Sequence, residues 1–99
     1  MAASTFESHP GGDLVAQGVD DLRRGQETVP SLLVSIGAPR LQRAGIVMPT
    51  PLASPEHRLY ALLSRNDPGS AHSRYNALVR RLVSFERAAE CVRRLGEGR

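Results

Sequence analysis

Arg80, Arg87 and Arg94 fall seven residues apart, with Arg74 and Arg81 beside that series. A guanidinium is planar, permanently charged and able to fork two N–H groups onto a carboxylate or a phosphate, so arginines at a helical repeat describe an anion-binding edge. On a helix, Arg80 to Arg94 would span about 21 Å, enough to meet several phosphates of a duplex or a structured RNA. The plainer reading of the same residues is the solvated face of an amphipathic helix, with Glu90 pairing forward to Arg94 and back to Arg87.

The charge layout follows this series. All 13 basic residues are arginine, against 10 acids, for a net charge of +3. Residues 1–54 carry four arginines and five acids, whereas residues 55–99 carry nine arginines and five acids. Arginine used throughout in place of lysine, with many Ala, Gly and Val, is the composition that a high-GC, actinobacterium-like genome writes by default. A source of that kind is therefore expected.

Other reactive side chains are scattered. Cys91 is the single cysteine, which excludes an intramolecular disulfide and a cysteine-rich zinc site and suits a reducing compartment. Arginines at 87, 93 and 94 flank it, but no histidine has a sequence-based claim to act as its base. His57, His72 and Cys91 share no spacing that would converge on a metal, so neither metal nor cofactor is expected. There is no phosphate-binding glycine loop, no Gly-x-Ser-x-Gly elbow and no plausible catalytic carboxylate pair.

Arg65 is followed, after six intervening residues, by His72. This spacing resembles the arginine-x(4 to 6)-histidine motif of the HEPN ribonucleases, over residues 65–72 alone. The resemblance implies an RNA-cleaving site in which Arg65 and His72 line a dimer interface of a helical protein. Without that resemblance, His72 reads as a residue in the first turn of a helix that bonds Asn76 one turn on.

The elements that must position these groups are helices. Residues 1–12 are small and polar and end in His9-Pro10-Gly11-Gly12, an expected disordered tail ahead of a single helical domain over 13–99. Asp13 is placed to cap a first helix to about Gln26, with Leu14, Val15, Val19 and Leu22 as its stripe and Gly18 weakening it. Thr28 and Pro30 open a second, almost continuously apolar helix that Gly37 ends, and a short third follows over 39–44. Placing Arg40 and Arg43 on the second helix of a helix-turn-helix around Gly37 is a weak alternative, because that helix is barely two turns long. Residues 46–54 form a proline-rich connector with Ile46, Val47 and Met48 turned inward.

Ser54-Pro55-Glu56 predicts a side-chain cap on a fourth helix that stops near Arg65 at the turn Asn66-Asp67-Pro68-Gly69. A long helix then runs to about Leu95 and is closed by Gly96. Its apolar seam is Ala71, Tyr75, Leu78, Leu82, Phe85, Ala89 and Val92, at alternating four- and three-residue steps, widened by Val79 and Val83. So wide a sector predicts that this helix is the centre of its own bundle.

The expected fold is all-α, a four- to five-helix bundle with a long C-terminal helix. The expected core includes Leu32, Leu33, Ile36, Leu59, Leu62, Leu63, Leu78, Leu82 and Phe85, with Tyr60 and Tyr75 also turned inward. The uncharged runs 28–39 and 44–55 are short and broken by proline, and Met1 to Asp13 lacks the apolar core of a signal peptide, so a cytoplasmic protein without membrane contact is expected. With no catalytic group assembled, the expectation is a non-catalytic bacterial interaction module. It would be an antitoxin-like regulatory or accessory subunit that meets a protein partner or a second copy of itself through its arginine-rich helix. Nucleic-acid binding through Arg74, Arg80, Arg81, Arg87 and Arg94 is the alternative, and a HEPN-like ribonuclease the third.

Overall fold

A computed structural model describes residues 11–97, with the backbone alone from residue 93 onward. Five helices and no strand are present among these residues: α1 (Gly12–Arg23), α2 (Val29–Ile36), α3 (Ala38–Arg43), α4 (Pro55–Asn66) and α5 (Ala71–Glu97). The all-α bundle with a long last helix is thus as the periodicity predicts. The connector after α3 lacks regular structure. Most of the expected disordered tail lies outside the described residues; Gly11 forms a turn and Gly12 already belongs to α1.

The centre of the bundle is α2 rather than α5. Every residue from Ser31 to Ser35 is buried, and α2 packs against each of the other four helices. Composition explains the position: Leu32, Leu33 and Val34 point in three directions around the helix, and all three are fully excluded from solvent. Leu59 and Leu63 of α4 and Val15, Val19 and Leu22 of α1 close around them, with Leu41 and Ile46 beneath. α5 contributes Ala71, Leu82 and Phe85 to the core, but its Leu78, Val79 and Val83 are only half-buried. The wide sector on α5 therefore lies across one side of the bundle. Ile36 and Leu62, also expected inside, sit half-buried at the margin.

A buried helix needs its polar groups answered, and the α1–α2 corner does this with a short relay. The Thr28 hydroxyl donates to the Asp21 carboxylate at 2.6 Å and accepts the Ser31 backbone N–H at 3.2 Å. Ser31 Oγ reciprocates by accepting the Thr28 N–H at 2.7 Å, which completes a capping box with serine in the usual place of glutamate. Gln17 donates to the second oxygen of Asp21 at 2.8 Å. Ser35 then ties down the connector, donating to the Ser31 carbonyl and accepting the Leu52 N–H at 3.0 Å.

Three expected caps differ. Gly11, at φ 74°, precedes α1, and Asp13 lies inside its first turn. Ser54 adopts φ 46° and ψ 52°, not the extended conformation that sets a side-chain oxygen over the first amides, and it makes no side-chain cap. Gly96 is helical and lies within α5, since one glycine in a last turn costs only about 1 kcal/mol. In the connector, Ile46 is buried and Met48 half-buried, but Val47 is 80% exposed.

Gly18 lies where α1 crosses α2. A Cβ there would run into the Pro30 carbonyl oxygen and sit 2.7 Å from Val34 Cγ1. The residue that weakens α1 as a helix is thus the one that lets the two backbones touch. Gly18→Ala, favourable by helix propensity, is expected to destabilise the protein by about 1–3 kcal/mol in urea unfolding, because backbone has to move to admit the methyl. A stabilised variant would contradict the close crossing.

Candidate functional site

α5 has two faces with different chemistry. The inward face carries the core residues together with two carboxylates, Glu86 and Glu90, one turn apart. Glu86 is buried, and α3 sends Arg40 to meet both: its Nε and Nη2 fork onto the Glu90 carboxylate at 2.8 and 2.9 Å, and Nη1 donates to Glu86 at 3.3 Å. Glu90 thereby reaches α3, a partner that its own helix does not reveal. Gly37 makes room for this contact, since a Cβ there would lie 2.6 Å from Glu86 Oε2 and 3.1 Å from the Leu82 methyls.

The three charges are not equally at ease. Arg40 is held charged above the usual arginine value, chiefly by the fork to Glu90. Glu86 is pushed up from the ordinary carboxylate value by burial, and the nearby Glu90 adds to this; Arg40 opposes both but does not overcome them. The guanidinium makes its two closer contacts to Glu90 and only a longer one to Glu86.

On the opposite face of α5, Arg80 and Arg87 are exposed, with Ser73, Ala77, Ser84 and Cys91 also exposed along the same side. Arg74 and Arg81 lie on the flank, also exposed; Arg81 meets Asp13 of α1 at 3.2 Å. Arg74, Arg80 and Arg87 form no ion pair among the described residues. The side chain of Arg94 lies outside the described residues. Arg80 and Arg87, seven residues apart, thus share the exposed side opposite the seam, and Arg74 and Arg81, also seven apart, share the exposed flank beside it. The seam itself runs out before its end: Ala89 is half-buried and Val92 is 53% exposed.

Arg65 and His72 stand on different helices, Arg65 in the last turn of α4 and His72 in the first turn of α5. Both are exposed, and no hydrogen bond or ion pair joins them. His72 Nε2 lies 3.2 Å from Asn76 Nδ2, the contact expected one turn on. Cys91 is exposed. Among the described residues, no group of three or more His, Cys, Asp or Glu is placed to hold a metal, and no helix is long and apolar enough to cross a membrane.

Tyr60 and Tyr75 lie nearer the surface than their stripes suggest. Tyr75 is half-buried and Tyr60 is 41% exposed, with ring centroids 5.8 Å apart at 57°. Burial and the charge of Glu56 push the Tyr75 hydroxyl above the usual tyrosine value. The tilted pair seals the junction of α4 and α5 and leaves Tyr60 wet on its outer side.

No protein-family model, curated protein or solved structure matches the chain.

A carboxyl whose value rises on folding binds more protons in the folded than in the unfolded chain between its ordinary and its raised value. The stability it contributes is therefore present below the ordinary carboxylate range and lost as pH rises through the raised value. Glu86→Gln keeps the shape and an acceptor for Arg40 while removing the buried charge. This variant is expected to melt higher than the natural chain at about pH 7.5, with the difference shrinking toward about pH 4. A lower melting temperature at neutral pH would mean that attraction to Arg40 outweighs burial. Arg40→Ala leaves two neighbouring carboxylates without their shared cation, and should lower the melting temperature more than Arg43→Ala on the same helix, whose side chain is exposed.

Proposed function

We propose that the chain is a non-catalytic binding module, a small regulatory or accessory component of a bacterial cytoplasmic assembly, and that it meets its partner through the outward face of α5. The observation that carries this reading is the division of charge on that helix. The acidic groups of its inner side are engaged with Arg40, whereas Arg74, Arg80 and Arg87 stand exposed with no ion pair among the described residues. A surface that serves only for solubility generally intersperses both signs. From Ser73 to Arg87 the exposed side of α5 carries no acid.

Support also comes from the economy of the fold. A chain of this size buries only about two thirds of its unfolded surface, which leaves stability near 5–10 kcal/mol and makes binding to a partner a worthwhile gain. Exposed arginines on a rigid helix lose less freedom on binding than the same groups on a loop.

The test places a photoreactive residue at exposed Ser84, between Arg80 and Arg87, in cells of the source organism, with exposed Gln26 of the α1–α2 loop as the control position. Adducts of higher mass, of protein or of nucleic acid, are expected from position 84 and not from 26, and should disappear with Arg80→Glu and Arg87→Glu while helical content is unchanged. Equal yields at the two positions would refute a contact role for this face.

A further inference from the structure

The arginine face of α5 differs from a protein-docking face in what lies between the charges. Stable protein interfaces are anchored by large apolar or aromatic side chains in a desolvated centre, with the charges toward the rim. Along the outward side of α5 the residues at alternating four- and three-residue steps are Ser73, Ala77, Arg80, Ser84, Arg87 and Cys91, all exposed. None of them is a large apolar anchor. The exposed large hydrophobics stand elsewhere: Val47 on the connector, Tyr60 on α4 and Val92 beyond Phe85 on the side of the inner seam. A second copy of the chain laid along this face would set arginine against arginine.

A phosphodiester backbone asks for what this face does supply. It needs cations at intervals on a stiff support, small neighbours that let the backbone come close, and hydroxyl donors, with no apolar centre. Arg74 to Arg87 span about 20 Å of helix, the axial rise of about six nucleotides of one strand. Arg80 and Arg87 project about 10 Å apart from the same side. Arg81 shares the flank with Arg74 and is partly answered there by Asp13, which stands on that flank and not between Arg80 and Arg87; Glu90 at the far edge meets Arg40, and Arg74, Arg80 and Arg87 form no ion pair among the described residues. With no base-reading aromatic on the face, such binding would be independent of sequence.

We infer that the outward face of α5 binds the phosphate backbone of a nucleic-acid duplex through Arg80 and Arg87, with Arg74 reaching it from the flank, an inference that rests on the reading of this face as the contact surface. The probes are fluorescein-labelled duplexes of about 24 base pairs, one of DNA and one of RNA, titrated with the full chain and followed by anisotropy. The affinity is expected to fall about 40-fold between about 50 and 200 mM salt, the loss that three phosphate contacts imply. Arg80→Gln with Arg87→Gln should reduce the logarithmic salt slope to about a third, with an unchanged circular dichroism spectrum. Tighter binding of one duplex would identify which of the two is the source of the phosphates.

Three results would overturn the inference: no binding to either duplex at low salt, a salt slope that the two Gln substitutions leave unchanged, or equal affinity for polyglutamate, which would mean that negative charge alone suffices. If the duplexes fail while the photoadducts at position 84 persist, the contact face stands and its partner is a protein. Loss of both would remove the face itself.

Discussion

Five consecutive residues of α2, Ser31 to Ser35, are buried, and the rest of the structure is arranged to make that burial tolerable. An eight-residue helix cannot hold itself in water, so nearly all of its stability must come from what surrounds it. Three demands follow. The neighbouring backbones must approach closely, which glycine allows at position 18 against Pro30 and at position 37 against Leu82 and Glu86. The first amides of α2 must find acceptors, which the Asp21–Thr28–Ser31 relay supplies. The connector must be held in place, and Ser35 does this from inside α2 by accepting the Leu52 N–H.

The long helix α5 follows from the same centre. Because α2 is already enclosed by α1 and α4, α5 has only one side of the bundle left to cover, and it covers it with Ala71, Leu82 and Phe85. Its inner flank is tied down through Arg40, Glu86 and Glu90. The cost of that tie falls on Glu86, buried against a cation whose closer donors serve another carboxylate. Buried ion pairs of this kind often contribute less to stability than an apolar residue of similar volume would. On the outer side of α5, Arg81 meets Asp13 of α1, whereas Arg74, Arg80 and Arg87 form no ion pair among the described residues.

This division bears on what the protein does. Catalysis needs groups brought together and shielded from water, whereas Arg65, His72 and Cys91 are each exposed on separate stretches of helix surface. A binding surface needs only that its groups be rigidly spaced and accessible, and α5 provides that between Arg74 and Arg87. The proposed module therefore depends on helix geometry rather than on an enclosed cleft.

Much of this was legible in the sequence because helical periodicity is a local property. The stripe from Leu14 to Leu22, the apolar run of α2, the proline at the start of α4 and the seam from Ala71 to Phe85 each follow from 3.6 residues per turn. So do the exposed side of Arg80 and Arg87 and the flank of Arg74 and Arg81, since residues seven apart return to one side whatever the helix packs against. What periodicity could not reveal is which helix is central, because a wide apolar sector on α5 and an all-round one on α2 both call for burial, and only assembly decides which is enclosed. Nor could it reveal partners distant in the chain: Glu90 pairs across 50 residues with Arg40, and Asp13, placed as a cap by its position, instead meets Arg81. Glycine at 18 reads as a local weakness until the second helix is laid across it. The sequence by itself determined the helices, their apolar stripes and the arginine edge, through interactions within one or two turns. The tertiary structure alone decided which stripe became the core, which charges were spent inside the fold and which were left facing outward, because those outcomes depend on contacts between residues far apart in the chain.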